Sequence, residues 1–254
     1  MKRITNAFAR AKKEGRGAFV AYLTMGFPSL AESEKAADEI VADGADILEL
    51  GVPFSDPFAD GGVIRSAAYE ALRQGVSLDD VLALAGRLRA RHPETGIVLF
   101  SYYNPIFSMG LEAFADAAAG AGIDAVLVVD LPLEERRELT DVLAPKGVDY
   151  IPLIAPNTPL ERVRESEEGL DNSFLYVITV KGTTGARREL PADLASRLDA
   201  IRSVARLPIA AGFGISSREQ AREVCRHADG FVVGSALVKM LAKDGKIHPE
   251  ELSF

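Results

Sequence analysis

Residues 45–62 read ADILELGVPFSDPFADGG. The first part is an apolar, strand-like run with one carboxylate, Glu49, set between Leu48 and Leu50. It then breaks into a loop stiffened by Pro53 and Pro57 that carries Asp56 and Asp60. A short buried strand that gives way to a long polar loop is the unit from which the rest of the chain is built.

Apolar runs of the same kind recur at 18–24, 46–50, 97–101, 125–130, 149–154, 174–179, 207–211 and 229–234. Segments with helical spacing separate them, among them SLAESEKAADEIVADG, LEAFADAAAGAG, PLEERRELTDVLAPKG and SREQAREVCRHADG. Strands alternating with helices imply a parallel sheet, because a parallel neighbour needs a crossover of a dozen or more residues. The runs are nearly continuous in apolar residues, so both faces should be covered. Eight such units predict an α/β fold, a single (β/α)8 TIM barrel over residues 1–254. An extra N-terminal helix is expected near Ile4 to Glu14. Further helices are expected within the βα loops, notably Leu78 to Arg91 in addition to one near Val63 to Gln74. Several helices should stop at glycine, as at Gly44, Gly122 and Gly147.

The 254 residues would also suffice for two small domains, but no Ser- or Pro-rich linker divides them. With 48% hydrophobic and 26% charged residues the chain has the composition of a globular protein with a sizeable core. No run approaches the roughly 20 apolar residues of a membrane span, and the first residues lack a signal-like apolar segment, so the expected location is the cytoplasm. A net charge of -8 argues against general nucleic-acid binding. Cys225 stands alone and reads as core or partly covered. His92, His227 and His248 form no metal-ligand pattern, and no metal site is expected.

Glu49 falls near the carboxyl end of the second strand, where barrel enzymes place their chemistry. An acid among Leu, Ile and Val loses hydration, its pKa rises, and it can exchange a proton near neutral pH. It could equally be a structural acid satisfied by a neighbouring donor. Asp60, in the glycine-rich PFADGG, could meet Glu49 at the same mouth or cap the helix that follows. Asp56 reads locally as a turn residue. The loops after the last three strands read KGTTGAR, AGFGISS and VVGSALVK; glycines and free amides at a helix start suit a phosphate. Tyr22, Phe100, Leu127, Leu153 and Tyr176 sit at strand ends, either as core or as an apolar pocket for an aromatic ring.

LELGVPFSDPFADG (48–61) resembles the signature of the tryptophan synthase alpha subunit family. The likeness continues in order through FVAYLTMGFP, SYYNPIF, DLPLEE, KGTTGAR, GFGISS and VVGSALVK, over almost the whole chain. The resemblance implies a barrel lyase that splits indole-3-glycerol phosphate into indole and glyceraldehyde 3-phosphate by a retro-aldol step. It implies Glu49 as general acid/base and Asp60 as acceptor of the indole N–H, with Tyr176 helping to position Asp60. Tyr22, Phe100, Leu127, Tyr176 and Thr184 would bind the substrate, and Gly185, Gly214, Gly234 and Ser235 would hold its phosphate. It further implies no cofactor in this chain and a beta subunit that carries pyridoxal phosphate, in an alpha-beta-beta-alpha heterotetramer. Pro53, Asp56, Pro57 and Pro132 would lie at or near that contact. Phe58, Gly62, Arg65 and Phe27 depart from the family pattern without removing a proton carrier. Two other readings are an activator subunit with little catalysis of its own and another phosphate-binding barrel enzyme such as a sugar-phosphate isomerase.

Overall fold

The computed structural model describes residues 2–178, 193–212, 214–215 and 217–248. Its strands are β1 (Ala18–Thr24), β2 (Ile47–Gly51), β3 (Gly96–Ser101), β4 (Ala125–Val128), β5 (Asp149–Tyr150), β6 (Leu153–Ile154), β7 (Leu175–Ile178), β8 (Ile209–Gly212) and β9 (Gly230–Val233). The helices are α1 (Arg3–Lys13), α2 (Leu30–Ala42), α3 (Gly62–Arg73), α4 (Leu78–Arg91), α5 (Tyr103–Met109), α6 (Leu111–Gly120), α7 (Arg137–Leu143), α8 (Leu160–Ser166), α9 (Leu194–Arg202), α10 (Arg218–Val224) and α11 (Ser235–Asp244).

All ladders are parallel, in the order β5-β4-β3-β2-β1-β9-β8-β7-β6. The two ends of that order belong to one run. Within 149–154, predicted as a single strand, the first half pairs with β4 and the Ile151 amide donates to Val126 at 2.9 Å. Pro152 has no N–H to continue that ladder, and its carbonyl instead accepts from Tyr176 of β7 at 3.0 Å. The split therefore hands the run from one neighbour to the other and closes the sheet into a barrel of eight positions, as expected for a (β/α)8 fold.

The period of two along each strand sorts its side chains into two cores. From β1, Ala18, Val20 and Tyr22 face inward and Phe19, Ala21 and Leu23 face the helices; from β2, Ile47 faces inward and Leu48 and Leu50 outward. Glu49 keeps step with Ile47 and so projects into the barrel. Helix α1 presents Ile4, Ala7, Phe8 and Ala11, an i, i+3, i+4, i+7 stripe, to the lower end of the inner core. The predicted supplementary helix is α4, started by a reciprocal capping box between Ser77 and Asp80. Helix α5 was not legible, because YNPIFSM is short and carries Pro105.

The barrel's lower rim repeats one device. Asp46, Asp124 and Asp229 each precede a strand, and each carboxylate accepts the amide of a neighbouring strand, from Phe19 (3.0 Å), Ile97 (2.9 Å) and Ile209 (2.8 Å) respectively. Arg10 and Arg16 pair with Asp46, Arg3 and Arg89 with Asp124, and Arg202 with Asp229. His92, His227 and His248 contact Asp38, Asp199 and Asp244 respectively. Among the described residues no cluster suited to a metal ion occurs, and no helix is long and apolar enough to cross a membrane.

Candidate active site

Register sets Glu49 beside Tyr22 of β1 on one side and Val98 of β3 on the other, and Gly51 beside Phe100. Glu49 is wholly buried, and neither carboxylate oxygen has a hydrogen-bond partner among the described residues. Desolvation alone pushes its pKa up to about 8. The reading of Glu49 as a structural acid held by a neighbouring donor thus finds no donor.

Asp60 approaches from the loop after β2 and is 5% exposed. The N-cap of α3 is Gly61, and no side chain caps that helix, so the capping role weighed for Asp60 is not the one it fills. Its Oδ2 instead accepts from the Tyr102 hydroxyl at 3.0 Å, and that hydroxyl accepts from the Ala59 amide at 3.1 Å. Burial pushes Asp60 up to about 6, against the opposing pull of the Tyr102 hydrogen bond and the Arg65 charge. Arg65, noted as a departure from the family pattern, therefore contributes a cation to this mouth.

Two tyrosines link the carboxylates. Burial first, then the charges of Asp60 and Glu49, hold the Tyr22 phenol well above its ordinary range. Burial, then Glu49, Tyr22 and Asp60, do the same for Tyr176. Each phenol thus sits within electrostatic reach of both acids. Their hydroxyls fit because β2 and β8 end in glycine: a Cβ on Gly51 would stand 2.4 Å from the Tyr22 hydroxyl, and one on Gly212 would stand 2.4 Å from that of Tyr176.

Tyr22, Asp60, Phe100 and Tyr176 line one cavity together with Gly214, Gly234 and Ser235. Of the expected positions, Asp60, three ring contacts and three phosphate contacts therefore converge, while Glu49 is not among the lining residues and stands behind them beside Tyr22. Tyr22 and Phe100 meet edge to face, with centroids 5.0 Å apart. Gly234 and Ser235 open the ten-residue α11, whose first amides and dipole face this mouth. Leu127 is buried beside Phe100 in the inner core and does not line the cavity, and Leu153 packs on the same core. Thr184 and Gly185 lie outside the described residues. Of the expected contact residues, Asp56 and Pro132 are exposed, Pro57 is partly covered and Pro53 is buried.

Tyr102, Gly51 and Gly212 were not singled out from the sequence. Tyr102 lies in SYYNPIF beside Tyr103, and nothing local distinguishes the phenol that reaches Asp60, 42 residues away, from its neighbour. Gly51 pairs in register with Thr24 and not with Tyr22, so nothing in the local sequence marks it as the position that admits the phenol.

A family model described as "Tryptophan synthase alpha chain" matches residues 8–253. The tryptophan synthase alpha chain of Citrifermentans bemidjiense is 47% identical over 244 residues, which cover 96% of this chain and 90% of that one. A solved structure of Mycobacterium tuberculosis tryptophan synthase superposes with a TM-score of 0.88 at 33% identity, over 98% of this chain and 93% of the other. The Pyrococcus furiosus tryptophan synthase a2b2 complex contains a chain with a TM-score of 0.84 and 38% identity, over 93% of each chain.

Proposed function

Because this chain belongs to the tryptophan synthase alpha chain family, lyases that cleave indole-3-glycerol phosphate into indole and glyceraldehyde 3-phosphate, we propose that Glu49 and Asp60 are the proton-handling groups of that cleavage here. The observation that carries the assignment is a pair of buried carboxylates toward one barrel mouth, with Tyr22 and Tyr176 in electrostatic reach of both and, among the described residues, no cation paired to Glu49.

With a pKa near 8, Glu49 is mostly protonated at neutral pH and can donate to the indole carbon that bears the glycerol chain. Asp60, near 6, is mostly ionised; it accepts the indole N–H and stabilises the positive charge that grows on the protonated ring. Breaking the carbon–carbon bond turns the adjacent glycerol hydroxyl into an aldehyde. Its proton returns to the Glu49 carboxylate, so the acid is regenerated and the proton count balances. Tyr22, Phe100 and Tyr176 supply the apolar walls that hold the ring, with Leu127 packed beside Phe100 and Thr184 as a further substrate contact. Amides at Gly185, Gly214, Gly234 and Ser235 hold the phosphate. The described cavity, about 40 Å³, is far below the roughly 300 Å³ of a typical ligand site, so substrate entry requires the mouth to widen.

We also infer that residues 1–254 work as one domain, that this chain needs no cofactor of its own, and that it delivers indole to a beta subunit carrying pyridoxal phosphate. Pro53, Asp56, Pro57 and Pro132 would lie toward that partner, and Phe58, 69% exposed on the same loop, offers it an apolar anchor. The test is indole release from indole-3-glycerol phosphate by the purified chain, alone and with a beta subunit. Asp60→Asn is expected to lose most of that activity while keeping the wild-type circular dichroism. Turnover by Asp60→Asn near that of the parent would remove Asp60 from the mechanism.

A further inference from the structure

The cavity at the mouth leaves one of the two acids behind it. Asp60 lines it, whereas Glu49 is wholly buried and does not. For Glu49 to exchange a proton with a bound ring, its carboxyl must extend toward the mouth. What it meets there is set by the alternation of side chains along β2. Positions two apart share a face, so the inward position above Glu49 is Gly51, about 7 Å farther along the strand. Gly51 has no side chain to fill that space, and Tyr22 of β1 occupies it. A Cβ on Gly51 would stand 2.4 Å from the Tyr22 hydroxyl and 2.6 Å from the ring carbon that bears it. The hydroxyl therefore stands above the acid, on the side of the mouth.

The ring is confined on two sides. Phe100 meets it edge to face with centroids 5.0 Å apart, and Gly234, just past β9, comes so close that a Cβ there would stand 3.3 Å from it. A side chain held in this way presents its hydroxyl at a fixed point. That hydroxyl is also little used. Among the described residues it meets only the buried Thr24 hydroxyl, and their 3.4 Å separation is well beyond the roughly 2.7–2.8 Å of a good O–H···O bond. Tyr176 repeats the arrangement with a different neighbour. Its hydroxyl stands over Gly212 of β8, and the inward residue below Gly212 is Ala210, the register partner of Tyr176. One tyrosine thus stands over an alanine and the other over an acid.

We propose that the Tyr22 hydroxyl is the seat of Glu49 at work: as the carboxyl extends toward the substrate ring, the phenol donates a hydrogen bond to one carboxyl oxygen while the other carries the proton to be transferred. The inference rests on the lyase reading of Glu49 and makes Tyr22 a positioning residue whose hydroxyl acts separately from its ring. When the proton passes to the ring carbon, the O–H bond of Glu49 breaks and a C–H bond forms. The phenol keeps its own proton and steadies the carboxylate left behind, until the proton of the glycerol hydroxyl restores the acid. The other titratable groups facing this spot are Asp60 from the loop after β2 and Tyr176 from β7, with Arg65 of α3 acting on Asp60. The inward residues Val98 of β3, Leu127 of β4, Ala210 of β8 and Val232 of β9 carry no charge.

The experiment measures indole release from indole-3-glycerol phosphate by the full chain over a pH range that spans both limbs. Tyr22→Phe keeps the ring and removes the donor. It is expected to lower kcat at least about tenfold, the worth of one hydrogen bond to a charged group, with KM within about twofold of the parent. Its basic limb should move upward from about 8, because an anion that loses a donor forms less readily. Tyr22→Leu, which removes the ring as well, should raise KM in addition. In a Glu49→Gln background Tyr22→Phe should lose most of its effect, since the group it serves no longer ionises. A basic limb that stays in place in Tyr22→Phe, or an undiminished cost in the Glu49→Gln chain, would overturn the proposal. Movement of the acidic limb alone would overturn it too, because the hydroxyl would then serve Asp60. Parental turnover by Glu49→Gln would remove the lyase assignment of Glu49 and this inference with it, whereas a large loss in Glu49→Gln beside an unmoved basic limb in Tyr22→Phe sinks the inference alone.

Discussion

Asp46 and Glu49 stand three residues apart on the same strand run and are almost equally buried, yet the barrel treats them in opposite ways. Asp46, at the lower rim, receives the Phe19 amide and the guanidinium groups of Arg10 and Arg16. Asp124 receives the Ile97 amide with Arg3 and Arg89. Glu49, at the upper mouth, receives nothing among the described residues. A carboxylate surrounded by cations and amides ties strands together. One stripped of partners holds its proton and can pass it on. The same side-chain chemistry serves stability at the amino ends of the strands and reaction at their carboxyl ends, the division typical of this architecture.

The sharpest way to break this comparison is to neutralise one acid from each end. Glu49→Gln is expected to lower the rate of indole release by about a hundredfold or more, the span for a single acid/base group, while leaving the thermal midpoint at neutral pH undiminished. Asp124→Asn should do the reverse. It strands Arg89 and Arg3 at a largely buried site, so a stability loss of about 3 kcal/mol in urea unfolding is expected, with kcat within a few-fold of the parent. If Asp124→Asn abolished turnover in folded protein, or Glu49→Gln unfolded it, the division of labour would be wrong.

The pH dependence sharpens the picture at lower amplitude. Activity needs Asp60 ionised and Glu49 protonated, so kcat/KM should follow a bell with limbs near 6 and 8, belonging to the pair as a coupled system. Stability carries the matching sign. The Glu49 pKa is raised on folding, so its contribution is fully present below the unfolded value of 4.5 and is lost as pH rises toward 8. The stability of Glu49→Gln relative to the parent should therefore climb across that window and level off above it, as measured by urea unfolding at a series of pH values. The smallest expected effect is that of Tyr102→Phe. Removing the donor that steadies the Asp60 anion raises its pKa, so the acidic limb should move upward from about 6, with roughly a tenfold loss at most near neutrality. An acidic limb that stays in place would show that Tyr102 holds the loop without tuning the carboxylate.

Much of this was legible from residue order, because strands buried on both faces and helices that end in glycine leave local marks. The eight runs, the N-terminal helix and α4 appear close to where periodicity and capping predict them. Glu49 stood out because a carboxylate in an apolar strand is costly wherever it points. Sequence could not tell its two outcomes apart. Pairing and isolation differ only in what a distant segment contributes, and the arginines that reach Asp46 and Asp124 come from α1, from the turn after it and from α4.

What residue order determined by itself is the repeating strand–helix unit, the place of Glu49 near the carboxyl end of a buried strand and the proline-stiffened, acid-bearing loop after it, since these depend on spacing along one stretch of chain. Tertiary structure alone decided that Pro152 hands one strand from neighbour to neighbour to close the ring, that Tyr102 rather than a helix amide meets Asp60, and that Gly51 and Gly212 admit two phenol groups. Each joins groups far apart in the chain, and local propensity carries no information about which distant surface will remove the water from a given side chain.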